Sequence, residues 1–362
     1  MSFAQVIGQE IPKKALQAAL KQDRLAHAYL FHGPDGVGKE FCALQLAKAV
    51  NCQRLTEDAC DECSSCEKID HLNHPDVSLV FPTPDPKKTP IEEIQRKFEE
   101  KRANPHRRIQ FPRAASIHID DIRALQEKLA YAPYEGRKKI AILLDADQMP
   151  VQAGNAFLKL LEEPSGNALL ILVSTRSSSL LPTILSRCQQ LRFTGLRDED
   201  IAQALVASGV VGESRAGLFA LLAEGSLGRA REMAEEDLLK HRERALDLWQ
   251  RARSEDRLLI LNGIEDLART RDRATMATVL DFLFFWVQDL LAVKTQAAHR
   301  IRNTDLRGRL ETEARSQSIG AILGAIKALE EARQSILVAN VDPQLALIYL
   351  CSRLGLEGQG QG

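Results

Sequence analysis

A chain of 362 residues with 44% apolar and 27% charged side chains can bury a core and stay dissolved, which excludes a disordered or fibrous protein and leaves room for two or three domains. The formal net charge is −1, so no global basic field draws the chain to nucleic acid, and any DNA contact must be local or shared with partners. Met1-Ser2-Phe3-Ala4-Gln5 has no charged n-region, and the most apolar segment, Val279 to Val293, is broken by Asp281 and Asp289 and reads as too short for a bilayer, so a cytoplasmic protein without membrane contact is expected.

Residues 1–26 carry Ile11, Ala15, Leu16, Ala19 and Leu20 at helical spacing and read as one or two amphipathic helices. The apolar segment Ala28-Tyr29-Leu30-Phe31 then leads into Gly33-Pro34-Asp35-Gly36-Val37-Gly38-Lys39-Glu40, followed by a helical pattern from about Phe41 to Val50. Strand, Gly-rich turn and helix are the context of a phosphate-binding P-loop. Gly33, Gly36 and Gly38 let backbone N–H groups converge on phosphate oxygens, the helix N-terminus adds its positive dipole end, and Lys39 stands where it would reach the terminal phosphates. Glu40 occupies the place of the Ser or Thr whose hydroxyl holds Mg²⁺, and its carboxylate would repel phosphate. The loop therefore has the shape for a nucleotide without the chemistry to spend one. ATP or ADP is expected to bind weakly or not at all, and a Gly-rich turn kept only for strand–helix packing is the competing reading.

Four cysteines follow at Cys52, Cys60, Cys63 and Cys66. Three of them stand at two-residue intervals, a spacing that closes tetrahedrally on Zn²⁺ with no open position for catalysis, which predicts a structural zinc on a surface knuckle spanning about 51–67. An iron–sulfur cluster is the competing ligand, and disulfides are disfavoured in a reducing compartment. Cys42, Cys188 and Cys351 lie in apolar contexts and read as core thiols.

A strand at Asp76–Val80 is followed by an irregular stretch, 82–113, with six prolines and a charged helix from Ile91 to Arg102. Its nine Lys/Arg against five Asp/Glu make it locally basic. We read it as a solvated surface excursion, with a DNA or partner contact as the alternative. A helix is expected from Ile119 to Ala130, a buried strand at Lys139–Leu144 ending in Asp145, a helix from Val151 to Glu163 stopped by Pro164, and a second buried strand at Ala168–Val173. Strands alternating with helices predict a doubly wound parallel sheet with ligand groups at the strands' carboxyl ends. Asp145 ends a strand expected beside the P-loop strand, where a Walker-B aspartate would orient Mg²⁺; an aspartate that merely caps a turn is the alternative. A hydrolysing enzyme follows that aspartate with Glu. Here Ala146 has no base, and Asp147 is the nearest acid.

Beyond Phe193-Thr194-Gly195-Leu196 the β signal stops. Residues 197–236 read as a small helical unit and 237–356 as helical throughout, with Leu280, Leu283, Phe284, Val287 and Leu291 on one face and Asp342-Pro343 as an N-cap followed by Pro at N1.

Together these motifs resemble one family, the AAA+ clamp-loader subunits of bacterial DNA polymerase III. The matching residues are Leu25-Ala26-His27-Ala28-Tyr29-Leu30-Phe31 with the P-loop, the four cysteines, Asn155 to Pro164, Ser186-Arg187-Cys188, the sensor-2-like Gly228-Arg229, and Ala339 to Leu347. The resemblance covers nearly the whole chain apart from 82–113. It implies an α/β AAA+ domain over 1–195, a helical lid over 196–236 and a helical collar for oligomerisation over 237–362. Because the family's motor subunit keeps the P-loop Ser/Thr and the Walker-B Glu, Glu40 and Ala146 align this chain with the non-hydrolysing stator at one end of the pentameric loader. In that family the Ser-Arg-Cys arginine, here Arg187, projects as an arginine finger into the ATP site of the neighbouring motor subunit. The implied partners are the motor subunits, a delta-type wrench subunit, the sliding clamp and primer–template DNA within the complex. Arg229 fits a sensor-2 position.

Two rival functions remain at this level: an active AAA+ motor using Asp147 in place of the missing Glu, and an autonomous zinc-dependent DNA-binding protein. Near-neutral charge and the lack of an Arg/Lys-rich recognition helix count against the second.

Overall fold

The computed structural model describes residues 2–358 apart from 55–57, 86, 88, 112, 163–166, 236–238, 255, 269–272, 298–300 and 338–340. The chain divides into two compact units, Met1–Ala204 with Glu224–Arg229, and Leu205–Ala223 with Ala230–Gly362. In chain order the first unit holds α1 (Glu10–Lys21), β1 (Ala28–His32), α2 (Lys39–Asn51), α3 (Ser64–Asp70), β2 (Val77–Val80), α4 (Ile91–Ala103), α5 (Ile119–Leu129), β3 (Lys139–Leu143), α6 (Val151–Glu162), β4 (Ala168–Ser174), α7 (Pro182–Leu185) and β5 (Gln189–Arg192). The segment read as a small helical unit forms α8 (Asp198–Ala207), α9 (Glu213–Leu222) and α10 (Leu227–Glu235), and it is shared between the two units.

The five strands are all parallel, in the order β2-β3-β4-β1-β5. Each apolar run is continuous because both faces of the sheet are covered. Tyr29, Phe31, Ile140, Ile142, Ile171 and Val173 face one core with α2, while Leu30, Ala141, Leu143, Leu170 and Leu172 face the other with α5 and α6. Two expectations need correction. The strand ending at Asp145 does not lie beside the P-loop strand, because β4 pairs with both β1 and β3 and separates them. β4 is buried along all seven residues, and this longest, fully buried strand takes the centre, a ranking that hydropathy pattern alone does not supply. β5 was not anticipated as a strand. Its Gln-Gln-Leu-Arg buries only Leu191, as suits an edge that shows polar side chains to solvent.

The described part of 82–113 lies at the surface but is fastened to the domain at several points, which corrects the reading of a merely solvated excursion. Phe98 of α4 stacks on Phe81 with centroids 6.0 Å apart, Thr83 bridges Ser116, and Lys101 is 1% exposed. One tether of this edge is Asp76, whose carboxylate accepts the N–H groups of Tyr134, Glu135 and Gly136 at 2.7–2.8 Å. Burial pushes the Asp76 carboxyl up, but those three donors outweigh it and hold it below the ordinary 3.8. The stability this provides is present above the unfolded value and is lost as pH falls through the lowered folded one. Asp76→Ala is therefore expected to cost about 2 kcal/mol at neutral pH. The gap from wild type should close in denaturant titrations taken progressively below pH 3.8.

The second unit is a helical bundle of α11 (Leu239–Ala252), α12 (Arg257–Ala268), α13 (Arg273–Lys294), α14 (Arg307–Arg315), α15 (Ile319–Leu337) and α16 (Pro343–Gly358). α13 packs against α11, α14 and α15. At 22 residues it is longer than the apolar segment suggested, and by length and composition it could cross a membrane, which corrects the expectation that it is too short. In the bundle, Leu283, Trp286, Val287 and Leu290 are wholly buried, and so is Asp289, whose carboxylate accepts from the Arg302 and Asn303 backbones and from the Asn303 amide. Asp342 caps α16 as expected, its Oδ1 accepting from Gln344 and Leu345. The Glu163-Pro164 helix stop and Ala339-Asn340 fall outside the described residues.

Candidate functional site

β1 delivers Gly33 to the carboxyl edge of the sheet, and the loop turns through Gly36 and Gly38, both at positive φ, into α2 at Lys39. Gly36 is required by space as well as by φ. A Cβ there would lie 2.1 Å from Ser226 Oγ, and its carbonyl accepts from the Gly228 N–H at 3.0 Å. The loop thus has the backbone shape that the sequence predicts. Lys39, however, turns its ammonium back onto the loop, donating to the carbonyls of Gly33 (2.8 Å) and Pro34. Burial pulls its pKa down to about 8, against the pull of Asp35 and Asp145.

What faces the loop is the arm formed by α4 and the turn after it. Lys101 Nζ lies 2.6 Å from Glu40 Oε1 and also donates to the carbonyls of Pro105 and Arg107 at 2.6 and 2.7 Å. Burial raises the Glu40 carboxyl and Lys101 opposes the shift; Oε1 is enclosed, although a quarter of the side chain stays open. With the turn pinned in this way, Arg108 bridges Asp35 of the loop and Asp145, 3.2 Å from the latter. The His106 ring packs on Phe41 of α2, 4.9 Å between centroids. Sequence reading missed Lys101 and Arg108 as site residues. The available signal was the excess of cations in the arm against Asp35, Glu40 and Asp145.

Asp145, two residues beyond β3, takes the left-handed conformation, φ 46°, ψ 46°, an unusual setting for a non-Gly residue that starts the short turn over 146–148 and aims the carboxylate at the loop's edge. Asp145 thus takes the turn position, with its carboxylate held by Arg108. Asp147, the acid considered as a substitute base, is 3% exposed and holds the end of β4 through Ser174 Oγ, the Thr175 N–H and Thr175 Oγ1. A carboxylate spent on four close groups, with Arg176 Nε at 3.5 Å as the last, is a support rather than a base waiting for water.

Arg187 stands apart from this cluster. It follows the single turn of α7, which starts on Pro182, with its side chain 37% exposed; Nη2 reaches Glu162 Oε1 at 2.9 Å and Nη1 the Thr183 carbonyl at 3.1 Å. Arg229 lies next to the Gly228 that meets the P-loop, but its guanidinium lies 3.9 Å from Glu224.

The four cysteines meet as predicted. Their sulfurs lie within 4.8 Å of one another, with Cys52–Cys63 and Cys60–Cys66 both at 4.0 Å. Four sulfurs 2.3 Å from one Zn²⁺ in a tetrahedron stand about 3.8 Å apart, so the donor set fits that ion. The N–H groups of Cys60 and Cys63 point at the sulfurs of Cys52 and Cys60, which favours thiolates. The module is tied down on its inner side: Lys48 of α2, 2% exposed, pairs with Asp61 and Asp70, and Ser65 Oγ donates to the Asn51 carbonyl. Asn51 in turn holds the backbone of Arg137 and Lys138.

A parallel α/β domain with a P-loop-shaped turn and a four-cysteine cluster, followed by a helical C-terminal unit, defines the class of protein. The family model "DNA polymerase III, delta subunit" matches residues 8–197, and "DNA polymerase III, delta subunit, C terminal" matches 237–354. The chain is 35% identical to the DNA polymerase III subunit delta' of Bacillus subtilis over 197 residues, 54% of this chain and 51% of that one. It is 36% identical to the subunit delta' of Pseudomonas aeruginosa over 166 residues, 46% and 42% of the two chains. The B. subtilis subunit tau is 32% identical over 200 residues, 55% and 30%. The match spans about half the length of these relatives or less. The chain belongs to the DNA polymerase III delta-subunit family, as a member of the delta-prime type.

Proposed function

We propose that this chain is a non-hydrolysing stator subunit of a bacterial clamp loader, working in the cytoplasm to help place a sliding clamp on primed DNA. In this reading its catalytic contribution is made in trans, with Arg187 acting as an arginine finger at the ATP site of a neighbouring motor subunit. The observation that carries the reading is Glu40. The residue that should offer a hydroxyl to Mg²⁺ is instead a carboxylate bound in an ion pair with Lys101. Ala146 without a base and Asp147 fully committed to β4 support it, and so does the exposed position of Arg187, away from the chain's own loop. A Zn²⁺ on Cys52, Cys60, Cys63 and Cys66 is structural, since four thiolates leave no position for substrate. The helical segment over 196–236 is assigned as a lid with Arg229 in a sensor-2 place, and 237–362 as the collar that joins the motor and wrench subunits. Gly33, Gly36, Gly38, Lys39 and Asp145 then mark a vestigial nucleotide site.

The test is steady-state ATP turnover by the purified chain, with Lys39→Ala as control. We expect no turnover above the control. Turnover that disappears in Lys39→Ala would make this a motor subunit, the reading to which the likeness to tau also lends weight.

A further inference from the structure

The contacts of the 82–113 arm say more than that the site is weak. Its turn is a built element. Lys101 spends its ammonium on the carbonyls of Pro105 and Arg107 and on Glu40, so one buried lysine both shapes the turn and fastens it to the first turn of α2. The turn then reaches two further points of the site with Arg108, which joins Asp35 within the P-loop to Asp145 in the turn after β3. His106 against Phe41 adds an apolar contact on the same side. The three acids contacted come from two places in the sequence, the P-loop with the start of α2 and the turn after β3, and meet around the loop. A Mg²⁺-nucleotide needs the same ground, since its cation would compete with the Arg108 guanidinium for the Asp145 carboxylate and its phosphates would meet the arm.

We propose that residues 101–108 form an intramolecular stopper over the chain's own P-loop, so that a Mg²⁺-nucleoside triphosphate enters only when the arm lifts. The loss of the Mg²⁺-binding hydroxyl and the closure of the site are then one event in the sequence, because Glu40 removes the first and anchors the second. The inference deepens the vestigial-site reading and does not depend on the role given to Arg187. Arg108 is the group to remove. Its side chain is one-third exposed, and Lys101 would stay to neutralise Glu40.

The experiment is binding of a fluorescent ATP analogue with Mg²⁺ to the full chain, as wild type, Arg108→Ala, and Arg108→Ala with Lys39→Ala. Hydrogen exchange is followed across 101–108 in the first two. Because affinity falls by the fraction of chains that are open, Arg108→Ala should bind about 10- to 100-fold tighter than wild type. The gain should vanish with Lys39→Ala, and the arm's amides should be protected in wild type and exchange faster once Arg108 is gone. Equal affinity of wild type and Arg108→Ala would overturn the proposal, as would an arm that exchanges in wild type as fast as an open loop. Either result leaves the stator reading standing, since that reading is judged by turnover and by Arg187.

Discussion

Arg187→Ala is expected to slow DNA-stimulated ATP hydrolysis at the one neighbouring motor site of the reconstituted complex by ~10³-fold or more, with no change in the melting of the chain itself. The two halves of this result have separate causes. Arg187 is a partly exposed side chain whose ion pair with Glu162 is worth at most about 1 kcal/mol, so folding does not depend on it. Hydrolysis by a neighbour would depend on it strongly. Charge that develops on a transferred phosphoryl group is stabilised by a guanidinium held in a water-poor site, and a 10³-fold loss corresponds to about 4 kcal/mol of transition-state stabilisation. The pair with Glu162 and the bond to the Thr183 carbonyl hold the fork at the surface, and in the proposed role they would be exchanged for phosphate oxygens. Arg187→Lys should recover only part of the rate, because an ammonium keeps the charge and loses the fork. An unchanged rate in Arg187→Ala would remove the finger assignment.

Cys63→Ser is expected to release the metal and to destabilise the α/β domain by at least about 3 kcal/mol, a drop of roughly 6–12 °C in melting temperature. The size follows from what the module holds in place. Loosening residues 52–66 frees Asp61, and with it half of the pairing of the buried Lys48, whose charge then lacks compensation. The Ser65–Asn51 bond lies in the same layer, and Asn51 continues the connection to the strand that begins at Lys139. Metal analysis of the native protein should find one zinc per chain and Cys63→Ser should find none. A native protein free of zinc, whose variant melts with wild type, would sink the assignment.

The parts that were legible from sequence are those fixed by local chemistry. Gly33 to Lys39 specified a strand–turn–helix because glycine at positive φ and a helix start permit little else there. The four cysteines specified their cluster because two-residue spacing brings thiols together on one knuckle. The unbroken apolar runs of β3 and β4 required a sheet covered on both faces. Local pattern was silent where long-range packing ranks equals. It could not say that β4 would separate β1 from β3, nor that Gln189 to Arg192 would pair at the edge with so little apolar surface to declare it. The arm shows the limit most clearly. A proline-rich, basic stretch looks the same in sequence whether its cations face water or a carboxylate. Whether Lys101 finds Glu40, and Arg108 finds Asp35 and Asp145, depends on chain segments up to 73 residues away. Residue types and spacing by themselves thus determined the P-loop turn, the four-cysteine cluster and the alternating architecture. Only the tertiary structure decided the strand order and the closing of the loop, because Coulomb attraction between distant residues acts only once the fold has brought them within a few ångströms of each other and out of water.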